Sequence, residues 1–232
     1  MSYIKYPRTK NLPFSQSNSS DDVWWKDCSN FKGLEVVVTE KLDGECTSMY
    51  RDHIHARSLD SSHHPSRSWV KQLHSTIAHE IPEGYRVCGE NLYAFHSILY
   101  VDLPTYFFVY GIYDDKNYCL PWDEVKDFCA LLNLHTVPER YRGPWDENLI
   151  RDAWTARGAF ETFGTKEERP IWPDDFFHTS AEGYVVRATK GFHYDEFARY
   201  CAKFVRKNHV QSPHNWLTKE VVPNLLKLPQ QA

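Results

Sequence analysis

Leu34-Glu35-Val36-Val37-Val38-Thr39 is a β-branched run of strand length that passes without a break into Glu40-Lys41-Leu42-Asp43-Gly44-Glu45. Branched side chains favour extended backbone and Asp-Gly is turn chemistry, so an apolar strand delivers a charged loop. Within four residues the loop offers an amine, a carboxylate and a conformationally free glycine, a combination that suits a covalent lysine. A lysine attacks as the free amine and is activated when apolar surroundings or a second cation lower its pKa. Val36, Val37 and Val38 are expected to supply part of the first, and a metal or another basic side chain the second. The plain alternative is a surface turn, for which Lys-x-Asp-Gly is equally good chemistry.

Outward from this loop, further strands are expected at residues 46–50, 53–58, 85–90, 106–113, 184–188 and 197–205, each bounded by Gly, Asp, Asn or Pro. Helical spacing follows Asp123, read as an N-cap, where Val125, Phe128, Cys129 and Leu132 fall at i, i+3, i+4 and i+7. Two more helices are expected over 147–157 and over 215–226, the latter broken near Pro223. Residues 11–30 read as a polar loop or arm, and 158–180 as a long surface insertion. The pattern is α+β and mostly antiparallel, with no internal repeat and no linker that divides it.

Charged sites recur in order on the later strands. Arg57-Ser58 follows His53-Ile54-His55-Ala56, and Gly89-Glu90-Asn91 ends Tyr85-Arg86-Val87-Cys88. The aromatic strand Tyr106-Phe107-Phe108-Val109-Tyr110 comes next, then Ala181-Glu182-Gly183-Tyr184-Val185-Val186-Arg187, then Ala202-Lys203-Phe204-Val205-Arg206-Lys207. As an ordered set these resemble the motifs of the covalent nucleotidyltransferase superfamily, and most closely its stand-alone ATP-dependent RNA ligases of bacterial and phage type. Tyr6-Pro7-Arg8-Thr9 and Asn208-His209-Val210-Gln211 resemble features of the same enzymes.

The resemblance implies one nucleotidyltransferase (ATP-grasp-like) domain over 1–232, of antiparallel sheets flanked by helices, with 1–33 as an N-terminal arm and 208–232 as a short extension. It implies that Lys41 attacks the α-phosphorus of ATP and becomes a lysyl-AMP. Asp43, Glu90 and Glu182 are implied to hold Mg²⁺ or Mn²⁺, largely through its waters, and Glu90 also to reach the ribose. Tyr110 is implied to stack on adenine, with Phe108 on the same strand face as second choice. Arg57 and Lys203 are implied to face the phosphates, and Glu40 either to position the base or to face solvent. Many relatives carry a second lysine two places after Lys203, where this chain has Val205; Arg206, on the opposite face of a regular strand, or Lys207 is left to replace it.

The implied reaction is RNA repair: joining a 5'-phosphate to a 3'-hydroxyl RNA end, with room for a separate end-healing kinase or phosphatase as partner. GTP use, another acceptor as in capping enzymes or DNA ligases, and a catalytically silent nucleic-acid-binding module of the same fold are the alternatives. The 25 residues after Lys207 are too few for an OB-fold, which ranks a stand-alone RNA ligase above capping enzymes and DNA ligases.

Composition agrees with a globular enzyme. The 232 residues are 41% hydrophobic and 25% charged, with a net charge of -4 that argues against coating nucleic acid through bulk charge. A local path remains available, since residues 199–219 hold five Lys or Arg and no Asp or Glu, interleaved with Tyr200, Phe204 and Trp216. No window is apolar enough to span a membrane and the N-terminus lacks a signal-peptide core, so a cytoplasmic protein is expected. Six scattered cysteines without a CxxC pair read as reduced, mostly buried thiols. Six histidines lie between His53 and His79, in and around a Ser-rich loop read as a contact for substrate phosphate rather than a metal site.

Overall fold

The structure, a computed structural model, describes residues 2–17, 22–60, 62–154, 157–162, 181–207 and 220–228. Twelve strands alternate with four helices among these residues: β1 (Lys10–Asn11), β2 (Glu35–Lys41), β3 (Glu45–Tyr50), β4 (Ile54–Ala56), α1 (Ser68–Ile77), β5 (Arg86–Asn91), β6 (Phe107–Tyr113), β7 (Tyr118–Cys119), α2 (Trp122–Leu131), β8 (His135–Thr136), β9 (Glu139–Pro144), α3 (Glu147–Asp152), β10 (Gly183–Ala188), β11 (Phe192–His193), α4 (Phe197–Tyr200) and β12 (Cys201–Val205).

Two sheets result. One has the order β1-β12-β10-β2-β9 and the other β11-β7-β6-β5-β3-β4, with β8 joined to β6. Pairing is antiparallel except for β1 with β12 and β8 with β6. The valine run alternates between two cores, as a strand covered on both faces must. Val37 packs with Met49, Val87 and Phe107, while Val36 and Val38 pack with Phe31, Tyr184 and Phe204.

Several expectations change. The run over 197–205 opens with the helical turn α4 before β12 begins. Asp123 is not the N-cap of α2: Pro121 is, and Asp123 sits in the first turn, where Arg142 and Lys126 grip its carboxylate. α3 starts one residue after Asp146, whose side chain accepts from Leu149 N at 3.0 Å, and ends at Asp152; 155–156 lie outside the described residues.

Residues 220–228 are extended rather than helical, bridging Ala94 through Pro223 and Leu103 through Leu226; the expected helix's 215–219 lie outside the described residues. The N-terminal segment is built into the five-stranded sheet, with Leu12, Trp25 and Phe31 buried. Of the expected insertion, 163–180 lie outside the described residues, as do 208–219 of the basic run.

Candidate active site

β2 ends on Lys41, and its neighbour β10 begins opposite it, with Gly183 in register with both Lys41 and Val205. A Cβ on Gly183 would lie 1.9 Å from Phe204 O, so only glycine lets β10 and β12 close there. The close approach sets Glu182 beside the lysine, Nζ to Oε2 at 2.5 Å. Gly44 has the same role across the cleft, since a Cβ there would meet Asn91 O at 2.5 Å. It lets Gly44 N donate to Glu90 Oε1 at 3.2 Å. Asp43 turns its carboxylate to the 97–98 backbone, where Oδ2 accepts from Ser97 N, Ser97 Oγ and Ile98 N at 2.8, 2.7 and 2.9 Å.

A cavity of about 220 Å³ opens from Lys41 between the sheets. Six of the eight expected site residues line it: Glu40, Lys41, Arg57, Glu90, Tyr110 and Lys203. Glu182 contacts Lys41 at its edge, and Asp43 lies close enough to act on Lys41 and Glu90 electrostatically. Phe108 does not line it; the ring is buried 5.1 Å from Phe160 and 6.2 Å from His135, because the β5–β6 register shifts by one residue at Gly89. Glu40 does not face solvent. Its Oε2 accepts from Arg140 and from Ala159 N, while Oε1 is buried with no partner among the described residues.

The electrostatics reverse one expectation. Burial depresses the Lys41 pKa, but Glu182, Glu90 and Asp43 together outweigh it and hold the ammonium above its ordinary value. Val36, Val37 and Val38 are spent on the two cores, so the apolar cavity wall comes from Leu42, Val137 and Val185 instead. Glu90 is pushed up to about 8, first by burial and then, against the pull of Lys41, by Glu182 and Asp43. The site therefore carries more negative charge than its own lysine neutralises. Its hard carboxylate oxygens fit a hydrated divalent cation. Among the described residues no group of three or more His, Cys, Asp or Glu side chains is disposed to hold a metal ion.

Cations stand on the other wall. Lys203 Nζ pairs with Asp22 Oδ1 at 2.9 Å. β12 ends at Val205, which releases Arg206 from strand alternation, and the charge of Arg206 interacts with Glu182 and Asp43. Tyr6, Arg8, Cys46 and Arg187 also line the cavity. Tyr6 lies 4.8 Å from the Tyr110 ring, and Tyr110 OH donates to Cys46 Sγ at 2.9 Å. Burial and Glu90 push the Cys46 thiol far up, so it does not compete with Lys41 as a nucleophile. The Tyr6-Pro7-Arg8-Thr9 motif pointed to two of these residues. Arg187 closes the quoted Ala181–Arg187 motif, whereas Cys46 carried no signal beyond a polar group inside a strand.

The histidines between 53 and 79 are spread among local contacts. His53 stacks on Tyr3 at 4.0 Å, His74 Nε2 meets Tyr50 O at 2.6 Å, and His64 caps residues 65–67.

Lys41 thus ends a strand in contact with Glu182 and under the charge of Glu90 and Asp43, and it opens on a cavity lined by Arg57, Lys203 and Tyr110. Residues 34–205 match the RNA ligase family, and the chain belongs to it. No curated protein matches the sequence. Its fold is similar to that of an RNA ligase of Naegleria gruberi, solved as an apo mutant at 16% identity over 77% of this chain and 51% of that one, TM-score 0.50. The complex of that ligase with pyrophosphate gives 18% identity over the same shares, TM-score 0.50. A mutant with AMP and Mn gives 17% over 81% and 54%, TM-score 0.50. The chain spans about half the length of these ligases. Among the described residues no helix is long and apolar enough to cross a membrane.

Proposed function

We propose that the chain is an ATP-dependent RNA ligase whose first step is adenylylation of Lys41. The observation that carries this is the Lys41–Glu182 pair at 2.5 Å, set by strand register at the mouth of the cavity that Arg57, Lys203 and Tyr110 line. Lys41 Nζ forms a bond to the α-phosphorus, the bond from that phosphorus to the bridging oxygen breaks, and pyrophosphate leaves. Lys203, Arg57 and Arg206 stabilise the charge that develops on the phosphate oxygens. Lys41 must lose its proton first, and its carboxylates oppose that. Asp43, Glu90 and Glu182 would hold Mg²⁺ or Mn²⁺, which would supply the counter-charge that favours the free amine.

Tyr110 lines the cavity and is the ring placed to stack on the base. AMP then passes to a 5'-phosphate RNA end, and a 3'-hydroxyl displaces it, with room for a separate enzyme that prepares the ends. We assign the chain one domain over 1–232. Its six free thiols suit the reducing cytoplasm.

Incubation with ATP labelled at the α-phosphate and Mg²⁺ should leave label on the denatured wild type and none on Lys41→Ala, with excess ATP competing better than GTP. Folded wild type that is free of bound AMP by intact mass and takes no label would overturn the reading.

A further inference from the structure

Neither Asp43 nor Glu40 is held by its own strand alone; each leans on segments braced from the 220–228 strand. Asn224 is fully buried there. Its Nδ2 donates to Leu92 O at 2.7 Å and Ala94 O at 3.4 Å, and its Oδ1 accepts from Tyr100 N at 2.9 Å. The backbone carries the junction on both sides. Phe95 N donates to Val222 O, Asn224 N to Tyr93 O, Leu225 N to Tyr100 O, and Leu103 N to Leu225 O, at 2.7 to 3.1 Å. Tyr106 OH caps Asn224 O at 2.9 Å.

The 92–103 segment pinned in this way is the one that supplies Ser97 and Ile98 to Asp43 Oδ2, and Tyr100 OH accepts from Asp43 N at 3.1 Å. Its far end bridges Tyr100 to Thr162, and Val101 N donates to Glu161 O at 3.0 Å, which fixes the 157–162 segment whose Ala159 N donates to Glu40. A single amide side chain thus sits where three carbonyl and amide groups of the 92–103 segment would otherwise be buried without partners, an arrangement with one low-energy register.

We infer that the 220–228 segment is a clasp, with Asn224 its positioning residue, that sets Asp43 for nucleotidyl transfer through the 92–103 segment. The inference rests on the reaction proposed above. Asn224 touches neither nucleotide nor Lys41; it acts through Asp43. Displacement of a catalytic group by about 1 Å costs on the order of 100-fold in rate, and partial slackening of the clasp should cost about 10-fold.

The test is single-turnover labelling of the full chain with α-labelled ATP for wild type, Asn224→Ala, Ser97→Ala and the double variant, alongside near-ultraviolet circular dichroism and thermal midpoints. Asn224→Ala should lower the limiting rate about 10-fold and shift the ATP concentration at half-maximal rate less than about two-fold. Since both residues act on Asp43, the double variant should be no slower than the slower single, whereas independent, merely structural losses multiply. Multiplying losses, or an undiminished rate, would overturn the clasp. Should Asn224→Ala fail to fold, Tyr106→Phe, which removes only the bond to Asn224 O, decides the matter by a loss of about three-fold or by none. An unlabelled wild type removes the reaction and the clasp with it; a labelled wild type beside an equally fast Asn224→Ala removes the clasp alone.

Discussion

The five-stranded sheet brings Lys41 and Glu182 together within its own hydrogen-bonded register, Gly183 facing Lys41. The seven-stranded sheet contributes Glu90 to the same spot only across the cleft, from a strand paired to the loop's far side. Glu182 therefore has a cation at 2.5 Å, while Glu90 shares that lysine with two other carboxylates and is left with a backbone amide at 3.2 Å. Register satisfies one acid as the sheet forms; the other waits for charge that the protein does not supply. Half of the site is finished by folding and half by what binds.

The strongest way to break this contrast is Glu182→Gln. It removes the largest electrostatic support of the lysine, so burial regains weight and the Lys41 pKa falls. It also removes the carboxylate in contact with the lysine that the proposed reaction uses. Lysyl-nucleotide formation should fall about 100-fold, the scale of losing one preorganised electrostatic group. Rates of α-label incorporation from pH 6 to 9 check this, and the rising limb should move to lower pH. A loss under about three-fold would mean that the in-sheet pair is only structural.

Glu90→Gln sharpens the other half. Glu90 has a folded-state pKa of about 8 against an ordinary 4.5, so the folded protein binds this proton more tightly than the unfolded chain. Its contribution is fully present below the ordinary value and is lost as pH rises toward 8. Glutamine mimics the protonated acid and does not titrate. The variant should lack that decline, being close to wild type in thermal midpoint near pH 5 and more stable than it at pH 8 to 9. Equal midpoints at both ends would show that Glu90 is compensated in the folded protein after all.

The same division governs what could be read from the sequence. Strands β2, β3, β5, β6 and β10 are long enough that branched and aromatic residues bury them whatever their neighbours, and the expected spans nearly coincide with the observed ones. Lys41, Glu90, Glu182 and Lys203 lie on or beside those strands. α1 was missed because the Ser-rich stretch before it masks Val70, Leu73 and Ile77, whose spacing does suit one buried helix face.

Two-residue strands such as β7, β8 and β11 have no pattern of their own and exist through their partners. Residues 220–226 mimic a helix broken at Pro223, yet their backbone is taken by the 92–103 segment, a tertiary pairing that overrides local preference. The charge state of the lysine in the metal-free protein was not legible for a related reason. The valines before it imply an apolar pocket, but its charge state follows from carboxylates 49 and 141 residues downstream that only the fold assembles.

The smallest effect concerns Lys203, the cation that the five-stranded sheet does hold in reserve. Asp22 keeps it paired at 2.9 Å, and although burial opposes the aspartate's charge, bonds from Ser17, Lys203 and Asn11 outweigh it and lower the Asp22 pKa. A depressed carboxylate stabilises above its ordinary pKa, and the contribution disappears as pH falls through the folded value. Asp22→Asn should then cost about 1 kcal/mol at neutral pH, and the difference from wild type should close below pH 4. The freed ammonium meets the ATP phosphates without first leaving a partner, so the ATP concentration for half-maximal labelling should fall about two- to three-fold, the modest scale of a partly exposed ion pair. A rise instead would mean that Asp22 aims Lys203 at the phosphates rather than restraining it, and that this half of the site, too, is finished by folding.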